Sequence, residues 1–179
     1  MKKKWKWIIS LGAILAIGAT AAILGATVLA VNEPGTSSTQ KYYIINQNSG
    51  KALENASSNN YGQQVIQYTF NGGEQQKWKI ESVGTNIYKI TSAFSGQALD
   101  VWGGSMDPGA MIIQWPYGGG SNQHWYLTSL GSNAYVLKSV LTGQAIDVPG
   151  GLKTSNTGLV QWPVNGGENQ TWLILPAAN

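Results

Sequence analysis

Two carboxylates recur in matching surroundings along the chain: Asp100 in "ALDV" and Asp147 in "AIDV". The corresponding place upstream holds Glu54, in "ALEN". Paired acids suggest glycoside hydrolysis, which needs two carboxyls about 5–10 Å apart across one bond. These two occupy equivalent places in separate repeats, so a symmetric fold holds them much further apart. The only His, His124, has no nucleophile and orienting group with which to build a catalytic constellation. The chain lacks Cys, and its acids form no cluster with metal-ligand spacing. No enzyme activity, cofactor or metal is expected; what remains for the acids is to accept hydrogen bonds or to cap turns.

The composition sets the frame for those acids. The 179 residues include eight Trp and 23 Gly but are only 11% charged, which fits an all-β protein with many turns rather than a disordered chain. The formal charge of +3 is misleading, because four of the eleven Lys are Lys2, Lys3, Lys4 and Lys6. The rest of the chain sets seven Lys against eight acids, so no basic patch points to a nucleic-acid partner.

Those first lysines belong to a separate segment. "MKKKWKW" is followed by an uncharged run from Ile8 to Val31 and then by the polar "NEPGTSSTQ". That order marks residues 1–30 as an export signal, with Val28 and Ala30 suited to cleavage after Ala30. The run is also long enough for an uncleaved membrane anchor, and either way the Lys cluster stays on the cytoplasmic side. The remainder is expected to be secreted, or anchored and outward-facing, with a membrane partner only through an uncleaved N-terminus. Residues 31–41 read as a linker.

From residue 42 onward the chain repeats itself. Trp78, Trp125 and Trp172 close the phrases "NGGEQQKW", "GGGSNQHW" and "NGGENQTW", and Gly50, Gly96 and Gly143 open "SGKALEN", "SGQALDV" and "TGQAIDV". The repeats run over about 42–83, 88–130 and 135–175. Within each, short apolar runs separated by Gly, Asn and Ser predict about four strands, twelve in all. One such unit cannot bury its apolar face alone, but three can close around an axis. Each would contribute a Tyr (Tyr42, Tyr88, Tyr135), an aliphatic after it (Ile44, Ile90, Leu137), an aliphatic after the Ala (Leu53, Leu99, Ile146) and the Trp. A buried Trp removes about 150–250 Å² from water, worth about 4–6 kcal/mol before entropy. Gln76, Gln123 and Gln170, two positions before each Trp, can satisfy backbone groups left open by the Gly-rich turns.

Three Q-x-W motifs, "QKW", "QHW" and "QTW", in register with the "ALD/AID" steps, resemble the ricin B-type lectin family over residues 42–175. The resemblance implies a β-trefoil with pseudo-threefold symmetry, the domain taking in residues 42–179, and up to one carbohydrate site per repeat. A pyranose stacks its C–H face on an aromatic ring and offers its hydroxyls to a carboxylate and amides. By the resemblance, the second repeat supplies Asp100, Trp115, Asn122 and Gln123, and the third Asp147, Trp162, Asn169 and Gln170. The first has Glu54, Tyr68, Gln75 and Gln76, a longer acid and a Gln in place of Asn, and its site is expected to be weakened or silent. Many family members carry a Gln two residues before the stacking aromatic; here Ile66, Ile113 and Val160 stand there, and the neighbouring Gln67, Gln114 and Gln161 should face the other way. Trp102 offers the second site another aromatic wall.

The implied function is glycan binding, with galactose-type and xylan-like ligands both open. The alternatives are a protein–protein contact module with vestigial sugar sites, a toxin-targeting module and a glycoside hydrolase accessory protein. "NAS" at Asn55 and "NQT" at Asn169 match the N-glycosylation pattern.

Overall fold

Alternating burial along Lys41–Asn46, with Tyr42, Ile44 and Asn46 inward, shows why these runs fold as strands: one face is apolar enough to hide. The structure, a computed structural model, describes residues 39–177. The expected signal or anchor and most of the expected linker lie outside the described residues. Among those described, no helix is long and apolar enough to cross a membrane.

The first repeat holds β1 (Lys41–Asn46), β2 (Ala52–Glu54), β3 (Ile66–Tyr68) and β4 (Lys77–Gly84). The second holds β5 (Ile87–Ser92), β6 (Ala98–Val101), β7 (Ile112–Trp115) and β8 (Trp125–Gly131). The third holds β9 (Ala134–Ser139), β10 (Ala145–Asp147), β11 (Thr157–Gly158), β12 (Val160–Trp162) and β13 (Thr171–Pro176). The thirteenth strand, beyond the expected twelve, is the two-residue β11, which pairs with β3.

The outer strands of the repeats close a ring: β1 pairs with β4, β4 with β5, β5 with β8, β8 with β9, β9 with β13, and β13 with β1. Closure leaves this barrel without a free edge. The inner hairpins β2–β3, β6–β7 and β10–β12 cap one end. They meet in a cyclic set of backbone bonds: Val65 N–H to Ile112 O, Ile112 N–H to Leu159 O and Leu159 N–H to Val65 O, each 2.9 Å. All three side chains are fully buried. This is the β-trefoil that the repeats imply.

The core has the expected membership. Trp78, Trp125 and Trp172 have no exposed surface, and Ile44, Ile90, Leu137, Leu53, Leu99 and Ile146 pack with them. Tyr42 and Tyr135 are buried, while Tyr88 is partly buried against the cluster. Each core indole N–H donates to the backbone of its own repeat, at Leu53 O (2.9 Å), Leu99 O (3.2 Å) and Ile146 O (3.1 Å). Packing and polar satisfaction therefore coincide at the same residue.

Candidate functional site

In the second repeat, Asp100 lies opposite Ile113 across the β6–β7 hairpin, and Trp115 follows two residues later. Period-two alternation puts Asp100, Ile113 and Trp115 on one face. The third repeat copies this with Asp147 opposite Val160 and Trp162 two residues on. Trp115 and Trp162 are 43% and 45% exposed, in contrast to the sealed core indoles. The amides come from short 3₁₀ turns, Ser121–Gln123 and Glu168–Gln170, which lead into β8 and β13.

Asn122 Nδ2 donates to Asp100 Oδ1 at 2.9 Å, and Asn169 Nδ2 donates to Asp147 Oδ2 at 2.9 Å. Gln170 Nε2 adds a second bond to Asp147 Oδ2 at 2.8 Å. Gln123 and Gln170 are themselves buried. Gln123 takes the N–H groups of Gly118 and Gly119 and donates to Pro116 O; Gln170 takes that of Asn165 and donates to Pro163 O. They hold the Gly-rich loop after each exposed Trp, as their place beside the turns leads one to expect.

The pKa of each acid is raised above the ordinary Asp value. Burial is the largest cause for each; the Asn122 and Gln123 amides partly offset it for Asp100, and the Gln170 and Asn169 amides for Asp147. Each acid borders a concavity. That of the second repeat, about 560 Å³, is walled by Trp102, Trp115 and Ile113 around Asp100 and Asn122. That of the third, about 600 Å³, is walled by Pro149, Trp162 and Val160 around Asp147 and Asn169. Ile113 and Val160 line the pockets at the position where many family members carry Gln. Trp102, 47% exposed, does form a second aromatic wall.

The first repeat departs from this pattern. Glu54 is buried and receives Gln76 Nε2 at 2.8 Å, while Gln75 turns away to Asn71 Oδ1 at 3.3 Å. Tyr68 is 39% exposed. After the acid, the other repeats run through Gly103–Gly104 and Gly150–Gly151, all at φ 62–64°. Here Ala56 and Ser57 occupy the left-handed region at φ 57° and 51°, where a Cβ is strained. Asn55 holds them there: it is fully buried, accepts the Ser57 N–H and donates to Ser58 O and Ser92 Oγ. A buried Asn55 presents no glycosylation acceptor in the folded chain, so the "NAS" match has a structural explanation instead. Asn169 of the "NQT" match is committed to Asp147.

Gln67, Gln114 and Gln161 do face away from the pockets, and their task is one the sequence reading missed. All three are fully buried and reach into another repeat. Gln67 Nε2 donates to Leu152 O and Thr154 O, Gln114 Nε2 to Ser58 O and Asn60 O, and Gln161 Nε2 to Ser105 O and Asp107 O. Each third strand thus latches the loop of the preceding repeat, cyclically. Those loops bring Gly62 beside Trp115 and Gly109 beside Trp162. His124 is half-buried, with its ring nitrogen 2.9 Å from the Tyr117 hydroxyl.

The family model described as "Ricin-type beta-trefoil lectin domain-like" matches residues 28–115 and 121–179. Among solved structures, the designed 3-fold symmetric protein ThreeFoil is 38% identical over 75% of this chain and 97% of its own, with a TM-score of 0.74. The exo-beta-1,3-galactanase 1,3Gal43A from Clostridium thermocellum is 37% identical with a TM-score of 0.75. That match covers 77% of this chain but only 30% of the galactanase chain. A ricin B-like lectin from Macrolepiota procera, solved in complex with lactose, is 26% identical over 77% of this chain and 96% of its own, with a TM-score of 0.66. No curated protein matches by sequence.

Proposed function

This chain belongs to the ricin-type β-trefoil lectin family, and from that premise we propose that it is a non-catalytic carbohydrate-binding module using the second and third repeats. The observation that carries the reading is the recurrence, in two repeats, of one acid, one Asn amide and one exposed Trp around a single concavity. Trp115 and Trp162 stack the C–H face of a sugar ring, and Asp100 and Asp147 accept its hydroxyls. Asn122 and Asn169 hold the acids and offer a further amide edge. Gln123 and Gln170 position the acid or the neighbouring loop. The complex of the Macrolepiota lectin with lactose supports a galactose-type ligand; the xylan-like class is the other candidate.

In this proposal the first-repeat set, Glu54, Tyr68, Gln75 and Gln76, is silent, because Gln75 does not meet the acid. The module is exported, either released after residue 30 or held by an uncleaved N-terminal segment, with residues 31–41 as linker; the Lys-then-apolar order supports this. Shallow sites of this kind bind weakly, at about millimolar Kd, and gain from two sites meeting one glycan surface. The test is a glycan array that includes galactose-terminated and xylan oligosaccharides, read beside N-terminal sequencing of the exported protein. Binding confined to intact glycans, with no hydrolysis product, is expected. Hydrolysis of a bound glycan would contradict the non-catalytic reading.

A further inference from the structure

The two pockets are not equivalent, and the difference comes from a residue outside the repeated motifs. Tyr61 lies in the first-repeat loop that docks against the second-repeat site. Its ring is 67% exposed, with its centroid 5.8 Å from that of Trp115 and its plane tilted by 58°. The next residue, Gly62, is wedged between two indoles: a Cβ there would lie 3.0 Å from the Trp102 ring and 3.6 Å from the Trp115 ring. Only a glycine permits so close an approach, so Gly62 fixes how near Tyr61 comes to the site.

The loop is also held rigidly. Gly62 N–H donates to Gln114 O (2.9 Å) and Gln114 N–H to Gln63 O (3.0 Å). The Gln114 side chain holds Ser58 O and Asn60 O, and Gln97 Nε2 holds Asn59 O at 2.8 Å. An exposed aromatic on a pre-ordered loop costs little to engage, which is how a binding platform is built.

The same backbone bond identifies the counterparts elsewhere: Gly109 N–H to Gln161 O and Asn156 N–H to Gln67 O. The residues in the place of Tyr61 are therefore Pro108 and Ser155, and Ser155 is bonded to Thr69. Pro149 stands in the third repeat where Trp102 stands in the second. The second-repeat pocket thus has two exposed indoles in its wall, with the Tyr61 ring outside it beside Trp115, whereas Trp162 is the one aromatic of the third.

We infer that Tyr61 is an outer platform that makes the second-repeat site select glycans of two or more sugar residues, while the third-repeat site reads a single residue. The inference rests on the lectin reading. A pyranose bound to Asp100 uses its C–H face on Trp115. A second ring tilted by 58° cannot share that face and is free for the next residue along the glycan.

The test places Trp162→Ala in the chain, so that only the second-repeat site reports, and titrates galactose against lactose and xylose against xylobiose by calorimetry. The two-residue sugar of the recognised pair should bind about three- to tenfold tighter than its single residue, the contribution of one further ring contact. Adding Tyr61→Ala should abolish that gap and leave single-residue affinity unchanged, and Tyr61→Phe should keep it. The melting temperature should not move, because the Tyr61 ring is exposed. If Tyr61→Ala weakens both members of the pair equally, or neither, the platform is overturned while the lectin reading stands. If Trp162→Ala binds none of the four sugars, the second-repeat site itself falls, and the platform with it.

Discussion

In the third repeat the side-chain nitrogen of Asn169 stands 2.9 Å from Oδ2 of Asp147, and Asn122 repeats that bond to Asp100 at the same length in the second. Asn169 and Gln170 both bond Oδ2 of Asp147, which orients the acid and leaves Oδ1 without a bond from either amide. Replacing the charge while keeping the shape separates the two roles. Asp147→Asn should lower third-site glycan affinity about 10- to 100-fold, the worth of a hydrogen bond to a charged group. Thermal stability should hold or rise, because burial disfavours the charged form. Calorimetric titration and a melting curve check both halves.

Acidification should drive binding and stability in opposite directions. The folded-state values of Asp100 and Asp147 lie above those of the unfolded chain, so the folded protein takes up protons first. The cost of burying the two charges is fully present above the folded values. It is relieved as pH falls through them toward the ordinary Asp value of about 3.9, below which these groups no longer oppose folding. If the proposed sites accept sugar hydroxyls through the charged acids, glycan affinity should decline over that same window, beginning above the ordinary value. Titrations at stepped pH, paired with denaturant unfolding, read the two trends. Asp100→Asn with Asp147→Asn should flatten both.

Trp172 has no exposed surface, and its N–H is bonded to Ile146 O. Trp172→Ala should cost about 3–5 kcal/mol, the range for removing a large core aromatic. Denaturant unfolding measures it. A loss within the range of an exposed substitution would contradict the barrel-core assignment.

Gln161 should matter to stability and binding together. Gln161→Ala removes donors from Ser105 O and Asp107 O and an acceptor from Thr142 Oγ1. Stranding such groups costs about 1–3 kcal/mol. The latched loop carries Gly109, which borders Trp162, so third-site affinity should fall several-fold while second-site affinity holds. Selective titration in Trp115→Ala and Trp162→Ala backgrounds distinguishes the two.

The core was legible in the sequence because its chemistry repeats. Trp78, Trp125 and Trp172 and the aliphatics around Gly50, Gly96 and Gly143 mark three copies of one unit, and copies that cannot stand alone must close on each other. The polar side of the fold was harder to read. Gln67, Gln114 and Gln161 recur as visibly as the Trp residues, but the backbone carbonyls their amides hold lie 54–87 residues away, and no local pattern records a carbonyl. Tyr61 was invisible for the opposite reason: comparing repeats sets it beside Pro108 and Ser155, which share no chemistry with it. The burial of Asn55 was not legible either, because a three-residue motif match carries no information about burial. Asp100, Trp115, Asp147 and Trp162 were singled out through the resemblance, and hairpin register explains why the acid and the Trp of each repeat share a face.

The central claim is that one set of indoles holds the fold and another meets the ligand. The most direct measurement is glycan binding by the Trp115→Ala/Trp162→Ala double variant, set beside its melting temperature. The ligand is whichever array glycan gives the parent chain its strongest signal. The division of roles predicts that binding is lost and the melting temperature is close to that of the parent. A folded double variant that binds as the parent does would contradict it.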